Sequence, residues 1–197
     1  MIVHDGELLE LARFARQCIC QELGGAAARA PTSSLAMRLG ASFVTLRWRN
    51  GQLQGCIGSL EARRMLVADV AHNGLAAAFE DPRGTPLSLH DLDELNVEVS
   101  VLSELERVDF DGTEPGARAA LRPSVDGVVI VWNGRRGTFL PQMWEQLPTP
   151  AEFLRELKTK ARLPRDFWDD GVELHRYSVA KVVDPAPRAM TAQEAEV

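Results

Sequence analysis

Apolar residues recur at helical spacing from the start of the chain. Leu8, Leu11, Ala12, Ala15, Ile19 and Leu23 share one face of a helix that Asp5 can cap and Gly24-Gly25 can end. The period then shortens in "ASFVTLRWRNGQLQGCIG", where β-branched and aromatic residues flank Asn50-Gly51. That dipeptide suits a type I′ hairpin turn, which needs positive φ at both central positions. "RRMLVADVAHNGLAAAFEDPR" reads as a second helix burying Leu66, Val70 and Leu75 and stopping ahead of Pro82. In "LNVEVSVLS", Leu95, Val97, Val99 and Val101 alternate with Asn96, Glu98 and Ser100, the period of a strand with one buried face. A second hairpin is predicted in "DGVVIVWNGRRGTFLP" around Asn133-Gly134. "TPAEFLRELKTKARLP" carries a capping box, with Thr149 at the cap, Pro150 first in the helix and Glu152 three residues on, so a helix is predicted to about Ala161. "VELHRYSVAKVV" is a late strand.

Helices and hairpins are interspersed rather than strictly alternating, which predicts an α+β fold with a mainly antiparallel β-sheet flanked by helices. One domain is expected over residues 1–183. The remainder, "DPAPRAMTAQEAEV", residues 184–197, is polar and proline-bearing and is expected to be a flexible tail.

Composition narrows the class. Of 197 residues, 45% are hydrophobic and 25% charged, the balance of a globular protein with a substantial core. Net charge is −6 and the basic residues come in pairs such as Arg63-Arg64 and Arg135-Arg136, so no cationic stripe is available to neutralise phosphates and nucleic acid is not an expected partner. No apolar run reaches the roughly 20 residues of a membrane span, and the N-terminus lacks the basic start and apolar run of a signal peptide. Three cysteines in such a chain point to reduced thiols and a cytoplasmic location. Cys18 and Cys20 lie two positions apart on one helix, roughly 200° around its axis, and read as packing residues rather than as a chelating pair.

Several segments together resemble one family. "LQGCIGSLE", "AAAFEDPR", "LDELNVEVSVLSELE", "DGVVIVWNGRRGTFLPQMWEQLPTPAEFLRELKTKARLP" and "YSVAKV" occur in the order seen in the AMMECR domain family, whose bacterial and archaeal members are called AmmeMemoRadiSam system protein A. The resemblance covers roughly residues 5–183. It implies an α+β domain with an antiparallel sheet and a larger and a smaller lobe. It also implies an accessory or partner-binding role beside a Memo-like protein, similar to extradiol dioxygenases, and a radical S-adenosylmethionine protein, with no intrinsic cofactor. The chain departs from the family's usual pattern at Gln54 (Arg), Gly84 (Phe), Gly137 (Ala) and Arg162 (Gly).

Candidate chemistry centres on Cys56. A thiol between Gly55 and Gly58 sits where a ligand or another chain can approach, because glycine removes the side-chain barrier. A nucleophilic or redox role would also need a base, a cation or a helix N-terminus near the sulfur, and Arg63 with a helix starting near residues 61–64 is one source of such a field. The alternative is that the glycines form a bend with Cys56 packed beneath it. His72 is the nearest base in sequence, and no paired Cys or His spacing suggests a metal site. Asp81 and Arg83 of "EDPR" form either an ion-paired helix end or the rim of a polar cleft, in which Arg83 could fork onto a carboxylate or phosphate. Glu98, Ser100 and Thr138 line that cleft if their strands neighbour that of Cys56. The cluster Phe139, Leu140, Met143, Trp144 and Leu147 reads as core, with Met143 and Trp144 as a partner surface if exposed. Three functional readings stand: an accessory partner-binding component, a small enzyme using Cys56, and a non-catalytic small-molecule-binding domain. A homodimer stays open.

Overall fold

The computed structural model describes residues 4–187 and divides into two compact units, one running up to Leu102 and resuming at Ala180, the other spanning Ser103–Val179. In chain order the elements are α1 (Asp5–Glu22), β1 (Leu39–Gly40), β2 (Ser42–Trp48), β3 (Leu53–Gly58), β4 (Arg64–Met65), α2 (Leu66–Phe79) and β5 (Leu95–Leu102). Then follow β6 (Glu106–Arg107), α3 (Glu114–Ala120), β7 (Gly127–Trp132), β8 (Arg135–Phe139), α4 (Pro150–Lys160), β9 (Glu173–Tyr177) and β10 (Val179–Asp184). The α+β class with mainly antiparallel sheets is as the sequence predicts.

In the larger unit the strand order is β10-β5-β2-β3, with β2 antiparallel to both β3 and β5. Val44 and Leu46 of β2 and Leu95, Val97, Val99 and Val101 of β5 are all but fully buried in one core with Leu8, Leu11, Ala12, Ala15 and Ile19 of α1 and Leu66 and Val70 of α2. Both helices therefore cover one face of the sheet, and the other face carries the alternate residues Phe43, Thr45, Glu98 and Ser100. Leu75 is only partly buried.

Two local expectations are corrected, at the α1 N-terminus and at the first hairpin, and the expected stop at Gly24-Gly25 holds. His4, not Asp5, is the N-cap residue of α1, with extended backbone and no side-chain cap, and Asp5 is the first helical residue, where its charge favours the helix N-terminus. The α1 C-terminus closes as a Schellman motif: Gly24 has φ 86°, its N–H donates to Gln21 O, and Gly25 N–H donates to Cys20 O. The first hairpin does not use a type I′ turn. Only Gly51 has positive φ, Gly51 N–H donates to Trp48 O, Trp48 N–H donates to Gln52 O, and the ladder shifts register at Leu46/Arg47, the pattern of a longer turn with a bulge.

The smaller unit has strand order β6-β9-β7-β8. Its hairpin is the expected type I′ turn, with φ 44° at Asn133 and 76° at Gly134 and Trp132 paired with Arg135. Val128, Ile130 and Leu174 form its core with Phe153, Leu154 and Leu157 of α4. Thr149 Oγ1 accepts from Glu152 N–H, and the return leg of the box closes on the Thr149 hydroxyl instead of its N–H, Thr149 Oγ1 donating to Glu152 Oε2 at 2.6 Å. Trp144 is buried, stacked on Phe153 with ring centroids 3.9 Å apart, and its Nε1 donates to Asp126 O, so it belongs to the core and not to a partner surface. Of the segment read as a tail, residues 184–187 are held in place: Asp184 pairs with Arg16, Ala186 N–H donates to Asn96 Oδ1 and Pro187 O accepts from Arg49. Residues 188–197 lie outside the described residues. No described helix is long and apolar enough to cross a membrane.

Candidate functional site

β3 is the edge strand of the larger sheet, so alternate N–H and C=O groups along it point away from β2. At Cys56 both are taken by side chains. Cys56 N–H donates to Asp81 Oδ2 at 2.9 Å, and Arg83 Nη2 donates to Cys56 O at 3.3 Å. Arg83 also grips Asp81 bidentately, Nε to Oδ1 at 2.9 Å and Nη2 to Oδ2 at 2.6 Å, and Asp81 Oδ1 accepts the Arg83 N–H. The pair offers the strand one acceptor and one donor, as a neighbouring strand would. Arg83 and then the Cys56 amide hold the Asp81 carboxyl far below the usual carboxylate range.

The two glycines beside Cys56 make room for this chain itself. A Cβ at Gly55 would collide with the carbonyl oxygen of Ala77 in the last turn of α2, and a Cβ at Gly58 would collide with the Phe43 ring, which lies across the strand from β2. Cys56 points to the opposite face from Gly55 and is half-buried. Its Sγ accepts a hydrogen bond from Thr45 Oγ1 at 3.2 Å. Thr45 pairs with Glu98 on the next strand, so Cys56, Thr45 and Glu98 form one row, which ends in a 3.8 Å contact between Glu98 and Lys181. Ser100 lies on the same face opposite Phe43 and is buried.

The expected site is thus brought together in part. Cys56, Asp81 and Arg83 are in contact, and Glu98 and Ser100 share the Cys56 face. Thr138 belongs to the smaller unit, where its hydroxyl meets Tyr177 Oη at 3.1 Å. The helix after Cys56 begins at Leu66, not near residues 61–64, and Arg63 is bound to Glu61 at 2.6 Å, so neither supplies the field expected at the sulfur. Among the described residues no histidine hydrogen-bonds to Cys56. His72 is exposed on α2, and His175 lies on β9 in the smaller unit.

Two features escape the sequence reading. Asp69, fully buried on α2, accepts from Ser42 N–H (2.8 Å), Ser42 Oγ (2.7 Å), Ser59 Oγ (2.8 Å) and Asn73 Nδ2 (3.0 Å), pinning the start of β2 and the end of β3 to the helix. Its sequence signal is Asp69 and Asn73 at i and i+4 on an otherwise apolar face. The second is a cleft of about 630 Å³ beside the Cys56 strand, lined by Trp48, Arg49, Asn50, Gln52, Leu53, Gln54, Arg83, Thr85 and Glu94. Its floor is Gln54, 1% exposed, whose Oε1 accepts from Trp48 Nε1, Thr85 N–H and Thr85 Oγ1 while Nε2 donates to Thr85 O. Cys56 is not among the lining residues.

The AMMECR1 family model matches residues 12–182, almost the whole of the described chain. The chain belongs to the AMMECR1 family. Relatives include a protein of Thermotoga maritima, 40% identical over 148 residues (75% of this chain, 79% of the relative), and one of Thermofilum pendens, 32% identical over 197 residues (90% of each). Among solved structures, that of the uncharacterized protein PH0010 from Pyrococcus horikoshii superimposes with a TM-score of 0.75 at 28% identity, covering 95% of this chain and 96% of the other. Gln54 and Gly84, two of the positions singled out in the sequence, come together at the cleft. They are neighbours, because a Cβ at position 84 would lie 2.5 Å from Gln54 O and 2.9 Å from Gln54 Nε2.

Proposed function

We propose that this AMMECR1-family chain is a binding component rather than a reaction centre, acting as an accessory subunit beside a Memo-like protein and a radical S-adenosylmethionine protein. The observation that carries the reading is the use of the Cys56 constellation within the fold. Asp81 and Arg83 are spent on the Cys56 backbone and on each other, and the thiol meets a hydroxyl instead of a base. A nucleophilic cysteine needs a nearby proton acceptor or cation aimed at sulfur. Here the cation is aimed at the carbonyl of the same residue.

The test is co-purification of natively expressed components with wild-type chain and with Cys56→Ser. Retention of both partners by both forms supports the accessory role. Failure of the wild-type chain to retain either partner rejects it. Turnover by the isolated chain that disappears in Cys56→Ser would instead establish the thiol enzyme.

A further inference from the structure

We propose that the cleft beside β3 is a binding site for a small ligand carrying a phosphate or carboxylate group on a flat apolar body. This goes beyond the accessory role and does not depend on it, since the cleft lies wholly within the larger unit and needs no partner protein.

Consider what the cleft wall still offers. Its principal acceptors are used within the chain: Gln54 Oε1 takes three hydrogen bonds, Asn50 Oδ1 takes Gln52 N–H at 2.9 Å, and Glu94 takes Arg49 Nε at 2.8 Å, while the neutral Gln52 amide at the rim can donate or accept. Both arginines are fixed by one edge. Arg83 is held through Nε and Nη2 by Asp81 and Cys56 O, and Arg49 through Nε and Nη2 by Glu94, Asp93 O and Pro187 O. Among the described residues Nη1 of each makes no hydrogen bond. The charged capacity left unused is donor capacity on two guanidinium groups whose orientation is already set, so little side-chain entropy remains to be lost on binding.

Charge points the same way. Asp81 is 1% exposed and Arg83 57%, so that pair presents its positive end to solvent and keeps its negative end inside. Glu94 at the rim is as open as Arg49, which places the ligand's charge toward Arg83. With Nε and Nη2 engaged, each guanidinium keeps the two N–H groups of Nη1, which suit a charge-assisted hydrogen bond to a phosphate or carboxylate oxygen. The flat body follows from Trp48: its Nε1 is tied down to Gln54, which fixes the indole as a wall of the cleft with Leu53 beside it.

The test is titration of the whole chain, followed through the Trp48 indole N–H resonance assigned with Trp48→Phe, using four probes: phenyl phosphate, benzoate, inorganic phosphate and benzyl alcohol. Saturable shifts are expected with phenyl phosphate or benzoate, the tighter of the two naming the anion. Inorganic phosphate should bind more weakly and benzyl alcohol should cause no saturable shift. Arg83→Lys and Arg49→Gln should each weaken binding at least tenfold. Because Arg83 also supports β3, Gln52→Trp serves as a variant that fills the cleft without removing a charge, and it should abolish the shift while keeping the wild-type melting temperature. Arg47→Gln, an exposed arginine outside the cleft, should bind as wild type. The inference is overturned by a lack of saturable shift with both aromatic anions. Equal affinity for benzyl alcohol, equal affinity for inorganic phosphate, or wild-type binding by Gln52→Trp would each overturn it too.

Discussion

Arg162 sits at φ 60°, a left-handed position just beyond α4, where its N–H donates to Thr159 O and the Leu163 N–H donates to Lys158 O. A residue with a Cβ pays for that conformation, whereas glycine adopts it freely. Gly137 lies alongside: a Cβ there would stand 2.7 Å from Ala161 N and 3.0 Å from Leu157 O. The four positions expected from the sequence to differ from the family pattern thus fall into two spatial pairs, Gln54 with Gly84 and Gly137 with the α4 terminus at Arg162. Arg162→Gly is expected to stabilise the chain by about 0.5–1 kcal/mol, the relief of left-handed strain being partly offset by greater unfolded-state freedom. Urea unfolding reads this as a higher midpoint at unchanged slope.

At the scale of elements, the segment Asp81–Arg83 acts as a side-chain substitute for a missing strand at the β3 edge. Asp81→Asn is expected to cost about 2 kcal/mol at neutral pH by removing charge-assisted bonds to Arg83 and the Cys56 amide, and to speed hydrogen exchange at that amide. The pH dependence follows from the direction of the shift. The folded carboxyl titrates far below its ordinary value of about 3.9, so its contribution is complete above that value. It fades as the pH falls from there toward the folded-state value. Wild type should therefore lose stability more steeply than Asp81→Asn below about pH 4, and parallel unfolding curves down to pH 2 would refute the assignment. β5, the Asn133-Gly134 turn and α4 were legible in the sequence because local period and turn chemistry determine them. The Asp81–Cys56 bond was not, because it joins residues 25 apart in the chain and exists only once α2 has docked. The Asn50-Gly51 turn was misread for a related reason: the dipeptide signals a hairpin, but the bulge at Leu46/Arg47 selects the turn geometry. The cleft left no trace in the pattern, since Trp48 and Thr85 converge through Gln54, whose buried amide looks like any surface glutamine in a string of letters.

At the scale of the whole molecule, the larger unit is assembled from two stretches of chain on either side of the smaller one. The departing and returning strands are tied together where Ser103 N–H donates to Ser178 O and Ser178 N–H donates to Ser103 Oγ. Beyond the pairing of β10 with β5, one guanidinium gathers both stretches of the larger unit. Arg16 of α1 reaches Leu92 O (2.8 Å) and Leu95 O (2.9 Å) ahead of and at the start of β5, and Asp184 O (2.9 Å), Pro185 O (3.2 Å) and the Asp184 carboxylate at the end of β10. With side chains 16% and 13% exposed, Arg16 and Asp184 sit where an unpaired charge is costly. Truncation after Val183 removes three of those five acceptors and leaves the cation partly buried. The expected loss is about 3 kcal/mol, read as a lower melting temperature, and Arg16→Met in the truncated chain should recover part of it, because an apolar side chain of similar length leaves no stranded charge. Equal stability of the truncated and full-length chains would show that the larger unit closes without the Arg16 network, through its core and the β10–β5 pairing.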